Sequence, residues 1–207
     1  MDFPGNLFVV AAPSGAGKSS LVGELLSRDP GLRLSVSTTT RAPRGQEEDG
    51  REYCFVSRSE FERRVRDGEF LEWAEVFGNY YGTHRGILEQ AQAQDRDLVL
   101  DIDVQGARQL KCQIPEDVRV SVFILAPSRE ILEHRLRARS EDRDEVIARR
   151  LREAAEEIRK YDQYDYVLVN RDLEEADAGR SARGRAERVR RTRIEDQIRP
   201  ILETFRV

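Results

Sequence analysis

An apolar run, Leu7-Phe8-Val9-Val10-Ala11, leads directly into Ala12-Pro13-Ser14-Gly15-Ala16-Gly17-Lys18-Ser19-Ser20, and a helical pattern follows. No other stretch limits the possible folds so strongly, because a loop of this kind works only between a buried strand and a helix N-terminus. Gly15 and Gly17 let backbone N–H groups approach a polyanion with no Cβ in the way. The helix start adds its dipole and its unsatisfied N–H groups. Lys18 supplies a mobile cation, and the Ser19 hydroxyl is placed to ligate Mg²⁺. Together these are the groups that the phosphates of a nucleoside triphosphate need. The usual pattern, G-x-x-x-x-G-K-[ST], begins with glycine where this chain has Ala12. That exchange costs little if φ there is ordinary.

The 207 residues suffice for one α/β domain with insertions or for two small domains. Charged residues make up 36% of the chain, above the usual quarter, which favours exposed, ion-paired helices. The net charge of −4 provides no general basic field, so nucleic acid is not an expected partner. Cys54 and Cys112 lack metal-ligand spacing and read as free thiols of a reducing compartment. The N-terminus has no basic stretch followed by an apolar one, and no apolar run approaches membrane-spanning length. The expectation is a soluble cytoplasmic chain without a membrane partner, monomeric or homo-oligomeric.

Four apolar runs read as buried parallel strands: Leu7 to Ala12, Leu98 to Ile102, Val118 to Ala126 and Tyr166 to Asn170. Helical patterns cover Ser19 to Ser27, Val104 to Lys111, Ser128 to Arg139 and Asp144 to Tyr161. The alternation predicts an α/β fold, a parallel sheet with helices on both faces. Between Ser35 and Gln94 the rhythm breaks into turns and short strands around a helix predicted over Ser59 to Asp67. This reads as an inserted α+β unit. Arg135 to Arg152 is dense in charge, and it reads equally as a solvated helical hairpin or as a mobile arm that delivers arginines. From Leu173 the pattern is helical to near the end, with Pro200 as a kink or break.

Three further clusters narrow the chemistry. Ser35-Val36-Ser37 precedes Arg41 and Arg44, and Tyr53 follows: two guanidinium forks with hydroxyls nearby suit a second phosphate. Glu72-Trp73-Ala74 precedes Gly78-Asn79-Tyr80-Tyr81-Gly82-Thr83, where a carboxylate beside aromatics and a hydroxyl can accept from a purine. Asp101-Ile102-Asp103-Val104-Gln105-Gly106 lies at a strand end, where ligands of such sheets gather and where Asp101 can hold Mg²⁺ through water.

The combination of these motifs closely resembles the guanylate kinase family, from about Asn6 to Asp172. The resemblance implies ATP and GMP, with dGMP beside it, as substrates and Mg²⁺ as the cofactor. It implies a P-loop core of residues 1–36, 94–126 and 152–207, an inserted GMP-binding domain of residues 37–93, and a lid of residues 127–151. Ala12 through Ser20 would hold the ATP phosphates, with Asn170 near the adenine. Ser37, Arg41, Arg44, Tyr53 and Tyr81 would hold the GMP phosphate. Glu72 and Thr83 would read the guanine, helped by Ser37 and Asp103. Lys18 and the lid arginines Arg135, Arg139 and Arg150 would stabilise the transferring group. The chain departs from the family at Ser140, where glycine is usual, and at Arg171, where an acid is usual. A non-catalytic interaction module of the same family is the main rival, but such modules typically carry a degraded loop. A related kinase of phosphorylated sugars would not need the Glu72 and Thr83 pair.

Overall fold

The computed structural model describes residues 6–94, 96–139, 143–171, 187–189 and 200–205. The chain divides into two compact units, residues 1–9 with 22–120 and residues 10–21 with 121–207. Strand β1 (Leu7–Ala11) and helix α1 (Lys18–Arg28) each contribute residues to both.

In the first unit β1 neighbours β7 (Asp97–Ile102), which pairs in parallel with the short β2 (Leu32–Leu34). A second, four-stranded sheet has the order β4 (Cys54–Phe55), β3 (Thr38–Thr39), β6 (Asn79–His84), β5 (Phe70–Val76). Helix α2 (Arg58–Arg66) starts one residue before the predicted Ser59, because the Ser57 hydroxyl caps it by accepting from the Glu60 N–H at 3.2 Å. Phe61 of α2 is buried and stacks on Phe70 and Tyr80, which fixes the helix to the hairpin. Helices α3 (Gly86–Ala93) and α4 (Val104–Gln113) complete this unit. The strand β2 is too short and too charged for an apolar-run reading to find.

In the second unit the order runs from β1 through β8 (Arg119–Leu125) and β9 (Tyr166–Val169) to β10 (Glu187–Val189). β8 and β9 are parallel, with Val122 opposite Tyr166 and Leu125 opposite Val169. Helices α5 (Arg129–Arg139) and α6 (Asp144–Ile158) form a packed pair, with Leu132, Leu136, Ile147 and Leu151 all buried. The sequence expectation of helix throughout the C-terminal region is corrected at β10, which pairs antiparallel with β9. Pairing across the chain overrides a local helical preference there. Residues 200–204, beginning with Pro200, are helical. The remainder of that expectation lies outside the described residues. No described helix is long and apolar enough to cross a membrane.

Candidate functional site

The phosphate loop leaves β1 at Ala12 and enters α1 at Lys18, as its spacing predicts. Gly15 and Gly17 have φ of 89° and 85°, in the left-handed region where glycine is favoured. The loop tightens through an Ala16 N–H bond to the Pro13 carbonyl at 3.1 Å. Lys18 is half-buried, and Ser19 is exposed on the first turn of α1.

Within the same unit, α5 and the end of β9 brace this loop. Leu132 and Leu136 are buried, and a Cβ at Gly15 would sit about 3.0 to 3.1 Å from their methyl groups. Asn170 donates from Nδ2 to the Ala16 carbonyl at 2.9 Å, and a Cβ at Gly17 would overlap that nitrogen. Arg135 donates to the Asn170 carbonyl at 3.0 Å and to the Ala16 carbonyl at 3.4 Å. Two residues of separate sequence clusters therefore meet on one peptide of the loop. Arg150 is half-buried on α6. Arg139 closes α5, and its side chain lies outside the described residues.

The first unit gathers the residues of the other two clusters. Register opposes Glu72 on β5 to Thr83 on β6, and the Thr83 hydroxyl donates to Glu72 Oε1 at 2.6 Å. Glu72 is 3% exposed and Thr83 0%, whereas Trp73 beside them is 38% exposed. The strand thus buries a carboxylate and presents an indole, the reverse of what hydropathy favours. The register shift between Phe70 and Glu72 makes this possible, since one extra residue sends each following side chain to the opposite face.

Asp103 caps α4 by accepting from the Gly106 N–H at 2.8 Å, and Gln105 donates to its other oxygen at 3.2 Å. Glu72 Oε2 lies over the same first turn, where a Cβ at Gly106 would overlap it. A carboxylate in that position also meets the positive end of the helix.

Arg41 is buried at 9% exposure, with its guanidinium paired to Glu47 at 2.9 Å and 5.2 Å from the centroid of the Tyr53 ring. Tyr81 packs edge-on against Tyr53 at 6.0 Å. The Arg41 guanidinium holds the Glu47 carboxyl below its ordinary value, and Glu47 in turn raises Arg41. Burial first, then the Asp101 carboxylate, pushes the Tyr53 hydroxyl upward. Ser37 is buried on the lead-in to β3, and Asp101 is half-buried near the end of β7. Arg44 stays exposed, and its backbone N–H donates to Glu47 at 2.8 Å. The residue missed by sequence reasoning is Glu47, which serves both the Arg41 side chain and the Arg44 backbone. Its spacing of six from Arg41 offered a signal only if the intervening loop was known to turn back.

A family model for guanylate kinase matches residues 5–178. The chain belongs to the guanylate kinase family. The guanylate kinase of Idiomarina loihiensis is 56% identical over 171 residues, covering 82% of this chain and 80% of that one. That of Koribacter versatilis is 52% identical over 204 residues, covering 96% and 87%. Among solved structures, guanylate kinase from Anaplasma phagocytophilum matches with a TM-score of 0.66 at 39% identity, over 84% of this chain and 81% of that one. Membership makes this chain a nucleotide kinase of α/β architecture, in accord with the intact loop. The C-terminal residues after 178 lie beyond the family match.

Proposed function

We propose that this chain transfers the γ-phosphoryl group of ATP to GMP, and to dGMP, giving ADP and GDP. The observation that carries this reading is the buried Glu72 carboxylate held by the Thr83 hydroxyl. Guanine offers an N1–H and a C2 amino group as two donors to one carboxylate, and adenine offers no such pair. A buried carboxylate left without donors is costly, so the site rejects the wrong purine strongly. Ser37 and Asp103 assist at the base. Arg41, Arg44, Tyr53 and Tyr81 hold the GMP phosphate, with Glu47 keeping Arg41 in place.

The ATP phosphates lie on Ala12 through Ser20. Lys18 follows the outer phosphates, and the N–H groups around Gly15 and Gly17 take the rest. Asn170 serves near the adenine while bracing Ala16. A divalent cation fits what the loop presents: an exposed serine hydroxyl on the first helical turn beside backbone that has no Cβ. Mg²⁺ takes few protein oxygens and keeps its waters, so Ser19 would hold it directly and Asp101 through water. When bound, the ion supplies positive charge toward the phosphates. Little covalent help is needed in phosphoryl transfer, so the protein's part is position and charge. Lys18, Arg135, Arg139 and Arg150 provide compensating charge. No general base is required, because the GMP phosphate is already nucleophilic. The functional division we retain is a core of residues 1–36, 94–126 and 152–207, a GMP-binding domain of 37–93 and a lid of 127–151.

The test is a coupled ADP-release assay over GMP, dGMP, AMP, UMP and CMP, with Glu72→Gln beside the unaltered chain. GMP and dGMP should be the acceptors. Glu72→Gln should lose GMP turnover by about 10²-fold while ATP binding persists. Equal turnover of AMP and GMP by the unaltered chain would overturn the reading.

A further inference from the structure

We infer that Gly106 is a positioning residue for guanine recognition, because the absence of a side chain there is what lets the Glu72 carboxylate sit where it does. The inference rests on the reading of Glu72 given above. Gly106 is buried in the first turn of α4, and its N–H is taken by Asp103 Oδ1 at 2.8 Å. A Cβ built on it would overlap Glu72 Oε2, lie 2.9 Å from Glu72 Cδ and 3.4 Å from Asp103 Oδ1. The neighbours that would have to give are the two acids assigned to the base. Neither has an easy retreat. Glu72 is pinned by the Thr83 hydroxyl at 2.6 Å and by the strand register that opposes the two residues. Asp103 is pinned by its cap bond and by Gln105, whose amide also donates to the Glu75 carbonyl at 3.3 Å. Trp73 exchanges two bonds with Gln109, so β5 is tied to α4 on the next turn and cannot swing away.

The usual effect of glycine in a helix runs the other way. Glycine loses more backbone entropy on folding than alanine does, and replacing it inside a helix ordinarily stabilises. Position 106 has a helical backbone, with no left-handed φ to demand glycine. What holds glycine there is the space taken by the Glu72 carboxylate.

The experiment is Gly106→Ala, assayed with GMP, IMP and AMP at saturating ATP. IMP keeps the N1–H of guanine and lacks the C2 amino group, so the GMP to IMP ratio reads the second donor contact. A misplacement of about 1 Å costs on the order of 10²-fold, so kcat/KM for GMP should fall by roughly that factor, mostly through KM. The GMP to IMP ratio should fall with it, while KM for ATP stays unchanged. Shortening the displaced acid should relieve the collision, so Glu72→Asp in the Gly106→Ala background should recover part of the loss. Unchanged KM and ratio in Gly106→Ala would overturn the inference. If Gly106→Ala alone is too unstable to assay, the double variant decides: recovered folding and turnover support the collision, and no recovery overturns it. Glu72→Gln separates the two readings. If Glu72→Gln leaves the guanine preference intact, the reading of Glu72 fails and this inference with it. If Glu72→Gln abolishes the preference and Gly106→Ala does not, only the present inference fails.

Discussion

Arg41 and Glu47 show how one residue's chemistry depends on a neighbour that no motif contains. A buried guanidinium needs a partner, and Glu47 supplies two oxygens to it and accepts from the Arg44 N–H as well. Because Arg41 lowers the Glu47 pKa from its ordinary 4.5, the folded state favours the ionised carboxylate. The contribution to stability is therefore complete above that ordinary value and is lost as pH falls through the lowered one. Urea unfolding between about pH 3 and pH 7 should show this loss, and Glu47→Gln should flatten that acid limb. At neutral pH Glu47→Gln should be less stable by about 1 kcal/mol, the scale of a charge-assisted bond replaced by a neutral one. Superimposable acid limbs for the two proteins would mean that Glu47 contributes nothing through its charge. Sequence reasoning reached Arg41 and Arg44 because paired arginines beside hydroxyls have a recognisable use. It did not reach Glu47, since only the turn of the loop makes a carboxylate six residues away a neighbour.

At the scale of elements, the strands and helices with strong apolar periodicity were legible, and those set by pairing were not. β1, β7, β8 and β9 lie within a residue or two of where continuous apolar runs place them. β2 and β10 depend on partners distant in the chain, and local pattern carries no record of that. Hydropathy alternation alone would have buried Trp73, and Glu72 was legible only as a carboxylate beside aromatics and a hydroxyl. The α5 and α6 pair resolves one ambiguity in part. Its acids do neutralise arginines: Arg137 pairs with Glu133 at 2.9 Å and with Asp144 at 2.6 Å. Such exposed pairs are worth little each and do not fix a helix. The buried Leu132 and Leu136 against Gly15 do fix the first turns of α5. If residues 127–151 act as a lid, α5 up to Leu136 belongs to its anchored base. Hydrogen exchange should find the amides of Leu132 to Leu136 slow in the free protein. Those from Asp144 to Leu151 should slow further only when an unreactive ATP analogue and GMP are both present. Equal protection of that stretch with and without nucleotides would leave Arg135 and Arg150 as structural residues.

For the molecule as a whole, the residues assigned to GMP belong to one compact unit and the loop assigned to ATP belongs to the other. Each nucleotide should therefore act first on its own unit. The chain offers a built-in reporter, since Trp73 is its only tryptophan. That indole is the neighbour of Glu72 on β5 and packs edge-on against Tyr80 at 5.7 Å. GMP should change the Trp73 emission in the absence of ATP, and the change should titrate with the affinity that GMP shows in turnover. An unreactive ATP analogue alone should leave the emission nearly unaltered while still raising the unfolding temperature. A ligand at 100 times its Kd adds about 2.7 kcal/mol to the folded state. For a chain of this length that corresponds to roughly 5 to 10 °C. Arg41→Ala should abolish the GMP-induced part of the shift and keep the part due to the ATP analogue, because only the phosphate of GMP is assigned to Arg41. If Arg41→Ala removed both shifts equally, the two nucleotide sets would not be separable and the assignment of Arg41 to GMP alone would fall.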